Sequence, residues 1–130
     1  MLPASCVSRT AKATKDDDFI GVQNYSRKLV DSEGVLEPAR NAPLTQMGYE
    51  DYPQAIGNVL RKVARSFPGE LFMTENGIAT ANDSRRCAFL QEAIDSVLTA
   101  RADGVDVRGY FYWSLLDNLE WRQDILKPSV

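Results

Sequence analysis

Apolar positions along this chain fall into five separate groups, three short and continuous and two spread at helical spacing. Phe19-Ile20-Gly21-Val22, Leu71-Phe72-Met73-Thr74 and Val107 to Trp113 are runs of the length and composition of buried strands. Between the first two runs, Ile56, Val59, Leu60, Val63 and Phe67 make one apolar stripe, which predicts a helix over Tyr52 to Phe67. Pro53 suits its first turn, and Pro68-Gly69 suits its end. Between the second and third runs, Cys87, Leu90, Ile94, Val97 and Leu98 form the stripe of a second predicted helix, about Ser84 to Ala102. Asn82, Asp83 and Ser84 offer N-caps for it, and Asp103-Gly104 closes it. The connection from Lys28 to about Glu50 holds Gly34, Pro38 and Pro43 and shows no periodicity. Loops of that length inside a compact domain are uncommon and often functional.

The order strand, helix, strand, helix, strand predicts an α/β fold with a parallel sheet and helical crossovers. Strands apolar at nearly every position predict helices on both faces of that sheet. Residues 1–15 read as an irregular N-terminal segment, 16–121 as the structured part and 122–130 as an irregular tail. Each strand run ends in polar or aromatic residues, and in parallel α/β architectures all strand C-termini open on one ligand-binding face. Gln23-Asn24-Tyr25, Glu75-Asn76 and Trp113 with Glu120-Trp121 are therefore expected to converge. A single glutamate at a strand end is more often a solvated loop residue. Here Thr74, Asn76 and Gly77 crowd Glu75 in what reads as a tight turn, and the Tyr25 hydroxyl is available to hold its carboxylate. Sugars present apolar C–H faces and hydroxyl rims, which suits flat Trp rings beside Asp117, Asn118 and Glu120. Ordinary core packing is the competing role for either Trp.

Composition narrows the chemistry. Lys and Arg total 15 against 18 Asp and Glu, and the basic residues are scattered, so nothing favours nucleic acid as a partner. No apolar run approaches the ~20 residues of a membrane span. Met1 to Cys6 shows no apolar core of leader length, which makes a cytoplasmic location the expectation. Cys6 and Cys87 have no metal-ligand spacing. Histidine is absent, which removes Ser-His-Asp and Cys-His catalysis from within these residues and leaves carboxylates as the main candidates.

Three blocks carry a resemblance. Asp18 to Arg27, Thr74-Glu75-Asn76-Gly77-Ile78-Ala79 and Asp103 to Trp121 are similar, in that order and spacing, to segments of glycoside hydrolase family 1. The similarity runs from about Asp16 to Trp121 and includes Met47-Gly48-Tyr49-Glu50. It implies part of a (β/α)8 TIM barrel, about its last three strand–helix units, and retaining β-glycosidase chemistry of the β-glucosidase type. Carried over residue by residue, Glu75 is the nucleophile and Tyr25 donates a hydrogen bond to it. Gln23, Trp113, Glu120 and Trp121 contact the sugar, and a cis peptide joins Trp113 to Ser114. The resemblance implies a β-glucoside or related small glycoside as substrate and calls for no cofactor or metal.

The chain also departs from the family pattern. Gln23-Asn24 stands for the commoner Asn-Tyr, Leu119 for a frequent Phe, and Gln91-Glu92 lies where a His is frequent. The family's acid/base belongs to an Asn-Glu-Pro motif, which this sequence lacks; its one Glu-Pro, Glu37-Pro38, follows Leu36 in the long connection. A barrel has eight strands and typically ~250 residues. The expectation is thus a truncated or split gene product, with a separate chain carrying the N-terminal part of the barrel as a candidate partner. The alternatives are an inactive fragment and a non-catalytic carbohydrate-binding remnant.

Overall fold

A computed structural model describes residues 14, 16–114 and 116. Its elements follow the predicted order: β1 (Phe19–Gln23), α1 (Ala55–Ala64), β2 (Glu70–Asn76), α2 (Asp83–Ala102) and β3 (Val107–Tyr112). The strands form one sheet in the order β1-β2-β3, and both pairings are parallel.

Helix α1 is shorter than its stripe. Pro53 has no N–H to give, Tyr52 accepts from the Ala55 amide in a turn, and the helix starts at Ala55. At the other end the Ser66 and Phe67 amides both donate to the Val63 carbonyl, and the Phe67 ring turns back into the core. Helix α2 begins where the Asn82 side chain accepts from the Arg85 amide at 3.1 Å. It ends at Gly104, whose φ of 91° lies in the left-handed region.

The stripe assigned to α2 is corrected. Phe89, Ala93, Val97 and Ala100 are buried, whereas Cys87 and Leu98 are exposed. The two helices approach too closely for a row of large residues. A Cβ at Gly57 of α1 would lie 2.3 Å from Ser96 Oγ and 2.8 Å from the Ser96 carbonyl. Small residues at 93 and 100 fit that proximity, and the larger Leu90 and Leu98 are displaced to the flanks.

The two-sided cover is corrected as well. Val22, Leu71, Met73 and Val107 point to the side where Ile56, Leu60, Phe89 and Val97 complete one core. On the other side Phe19 and Phe111 are more than half exposed, and Phe19 meets Phe72 edge-on with ring centroids 5.2 Å apart. Strands laid down in one direction by crossovers of one hand place both helices on the same face. Among the described residues the second face therefore carries no helix.

Beyond Met73, strand β2 holds one extra residue relative to both neighbours, whereas between Leu71 and Phe72 the extra residue is Arg108 on β3. Val22 pairs with Met73 but Gln23 with Glu75; likewise Tyr110 pairs with Met73 but Tyr112 with Asn76. The bulge sits at Thr74, whose hydroxyl donates to the Val22 carbonyl at 3.2 Å. Its methyl packs where a side chain at residue 21 would stand, since a Cβ on Gly21 would lie 3.1 Å from it. Leu71 and Met73 face the helices, and strict alternation would turn Glu75 inward beside them. The extra residue instead gives that inward position to Asn76, 1% exposed, and leaves Glu75 half-buried on the open side.

Candidate active site

Glu75 is thus a strand residue; the tight turn expected at Glu75-Asn76-Gly77 is corrected to two further residues of β2. Both carboxylate oxygens accept a hydrogen bond from the end of β1. Tyr25 donates its hydroxyl to Oε2 at 2.7 Å, and Gln23 donates its side-chain amide to Oε1 at 2.7 Å. The Asn24 amide adds a main-chain bond to the Glu75 carbonyl at 3.0 Å. Three residues separated from Glu75 by some fifty positions in sequence are joined to it because parallel strands place their C-terminal ends side by side.

Behind the carboxylate lies a polar lock that the sequence pattern did not reveal. The buried Asn76 amide donates from Nδ2 to the Asn24 carbonyl at 2.7 Å. Its Oδ1 accepts from the Tyr110 hydroxyl at 2.7 Å, and its carbonyl accepts from the Trp113 amide at 2.8 Å. One side chain therefore ties the ends of all three strands. Burial, with the neighbouring Tyr112 adding to it, pushes the Tyr110 phenol above its usual range, so it remains a donor. An Asn at the inward end of an otherwise apolar strand was the available clue, but it becomes legible only once the bulge is known. Asn76→Ala leaves the Asn24 carbonyl and the Tyr110 hydroxyl without their partner, and should lower stability by about 2–4 kcal/mol at neutral pH. Urea unfolding of the chain reads this as a lower midpoint at unchanged slope; a shift under about 1 kcal/mol would mean that water replaces the amide.

A second cluster anchors the residues after Tyr25. Arg27 makes a bidentate pair with Glu50 at 2.8 Å and 2.8 Å, and its guanidinium lies 3.7 Å from the Tyr52 ring centroid. The Ser26 hydroxyl donates to the Glu50 carbonyl at 2.7 Å. Hydrogen bonding from Arg27 holds the Glu50 carboxyl below the usual carboxylate range. The long connection is thereby strapped to the strand end that bears Tyr25. It is tied again where the Gln46 amide donates to the Ala79 carbonyl just beyond β2, at 3.0 Å.

Of the residues expected to converge, Gln23, Tyr25 and Glu75 are in contact. Trp113 reaches the same strand end through its main chain, and the residue is 40% exposed. The Trp113–Ser114 peptide is cis, as the resemblance implied. Glu120 and Trp121 lie outside the described residues. The side chains of Tyr25, Glu75, Trp113 and Glu120 were expected to line one open cleft, of which Glu120 falls outside the described residues; Gln23 and Tyr25 also border a hollow of about 1030 Å³ lined by Leu36, Tyr49 and Tyr52. This hollow lies beneath the long connection, against α1. Among the described residues no group of three or more His, Cys, Asp or Glu could hold a metal, and no helix is long and apolar enough to cross a membrane.

Comparison with known proteins gives consistent matches. The family model described as Glycosyl hydrolase family 1 matches residues 6–127. A 1,4-beta-D-glucan glucohydrolase of Thermotoga neapolitana is 34% identical over 97% of this chain and 33% of its own length. A beta-galactosidase of Saccharolobus solfataricus is 34% identical over 85% of this chain and 27% of its own. Among solved structures, a family 1 β-glucosidase from Thermotoga maritima superposes with a TM-score of 0.77 at 36% identity, covering 85% of this chain and 28% of that one. The three-stranded α/β fold corresponds to part of the barrel of these enzymes. The chain spans about a quarter to a third of the length of the proteins it matches.

Proposed function

This chain belongs to glycosyl hydrolase family 1, and from that premise we propose that it carries the nucleophile half of a retaining β-glycosidase site acting on β-glucosides or related small glycosides. The observation that carries the reading is the Glu75 carboxylate held on the open side of the sheet by Tyr25 and Gln23. In this role a Glu75 oxygen attacks the anomeric carbon, and a C–O bond forms as the bond to the aglycone oxygen breaks. That oxygen takes a proton from a general acid. The same group then removes a proton from water, which attacks the anomeric carbon and frees the carboxylate.

The two carboxyls of a retaining site stand roughly 5–5.5 Å apart. These residues contain no Asn-Glu-Pro, and we assign the acid/base to the remainder of the barrel rather than to Glu37. Trp113, and with it Glu120 and Trp121, would contact the sugar. The relatives include both a glucan glucohydrolase and a beta-galactosidase, so the sugar preference is left at the level of β-hexosides. The test joins this chain to the N-terminal part of a family relative and treats the product with an aryl 2-deoxy-2-fluoro-β-glucoside. Mass spectrometry should find one sugar bound covalently at Glu75. Label on another residue would refute the nucleophile assignment, and sugar binding with neither label nor turnover would favour a binding remnant.

A further inference from the structure

We propose that Gln23, expected from the resemblance to contact the sugar, is instead a second positioning residue for the Glu75 carboxylate. The inference rests on the nucleophile reading above and goes beyond it in the role of Gln23.

The terminal torsion of a glutamate is broad, so a carboxylate held by one donor can still swing about its last bond. Tyr25 donates to Oε2 and Gln23 to Oε1, each at 2.7 Å. Two donors on separate oxygens fix the carboxylate plane, and with it the lone-pair direction that attack requires. The contact depends on the bulge in β2. Without the extra residue at Thr74, Gln23 would pair with Thr74; with it, Gln23 stands opposite Glu75 and on the same face. The side chain also has the reach. Gln is one methylene longer than the Asn commoner at this place, and its amide already spends a donor on the carboxylate. That donor cannot serve a sugar hydroxyl in the same geometry.

Two measurements test this. In the 130-residue chain, the side-chain amide protons of Gln23 are followed by NMR in the unsubstituted chain and in Glu75→Ala. One amide proton should sit downfield and move upfield when the carboxylate is removed; no movement would overturn the contact. In the joined protein, the rate of labelling by the fluorinated glycoside is measured against its concentration for the unsubstituted protein and for Gln23→Met, which keeps length and loses the donor. The maximal labelling rate should fall about tenfold, as expected for one charge-assisted hydrogen bond, while the half-saturating concentration stays within about twofold. A raised half-saturating concentration at an unchanged maximal rate would return Gln23 to a sugar contact. Unchanged labelling in both respects overturns the proposal while the nucleophile assignment stands. Absence of label at Glu75 in the unsubstituted joined protein overturns both.

Discussion

Glu75→Gln in the joined protein is expected to lower kcat for an aryl β-glucoside by at least about 10⁴-fold, the scale on which removal of a catalytic nucleophile is felt. The amide is nearly isosteric with the carboxylate, and its carbonyl oxygen can still accept from Tyr25, so folding should be retained. In the proposed role, what disappears is the negative charge that both attacks and stabilises an oxocarbenium-like transition state. Steady-state assays give the size of the loss, and Glu75→Gly with added azide tells loss of the nucleophile from loss of the fold. A small anion entering the vacated space should restore turnover and deliver a glycosyl azide of inverted configuration. Retention of more than about a hundredth of the activity in Glu75→Gln would place the nucleophile elsewhere.

The second large effect concerns the 130 residues assayed by themselves. They are expected to turn over no aryl β-glucoside above background, and to gain turnover when the N-terminal part of a relative is joined to them. The chemical cause lies in the proposed placement of the proton donor in the remainder of the barrel. A positioned general acid contributes 10²–10⁴-fold. The structural cause lies in the sheet. β1 and β3 are its outer strands, and its second face exposes Phe19 and Phe111. Among the described residues the outer edges of β1 and β3 are unpaired and one sheet face is uncovered, which lowers the rigidity that near-attack geometry needs. Side-by-side assay of the chain alone and joined, at equal concentration, decides the matter. Turnover by the chain alone that is abolished in Glu75→Gln would mean that an acid within these residues serves the reaction.

Much of this molecule follows from its sequence alone. The three apolar runs and two punctuated stripes dictate five elements in βαβαβ order, because continuous runs bounded by breakers bury as strands and amphipathic repeats as helices. Parallel pairing follows, since each strand returns through a helix. That Glu75 and Tyr25 would meet was also legible, as both lie at strand C-termini and such ends share one face. Which side of α2 faces the core was not legible. That choice was made by the close approach of the helices at Gly57 and Ser96, a property of their packing rather than of residue hydrophobicity. The aim of Glu75 belongs to the tertiary structure as well. Alternation along β2 would send its side chain into the core beside Met73. One extra residue at Thr74, accommodated by the bare Gly21 of the neighbouring strand, turns Glu75 outward and Asn76 inward, and a register shift exists only between paired strands.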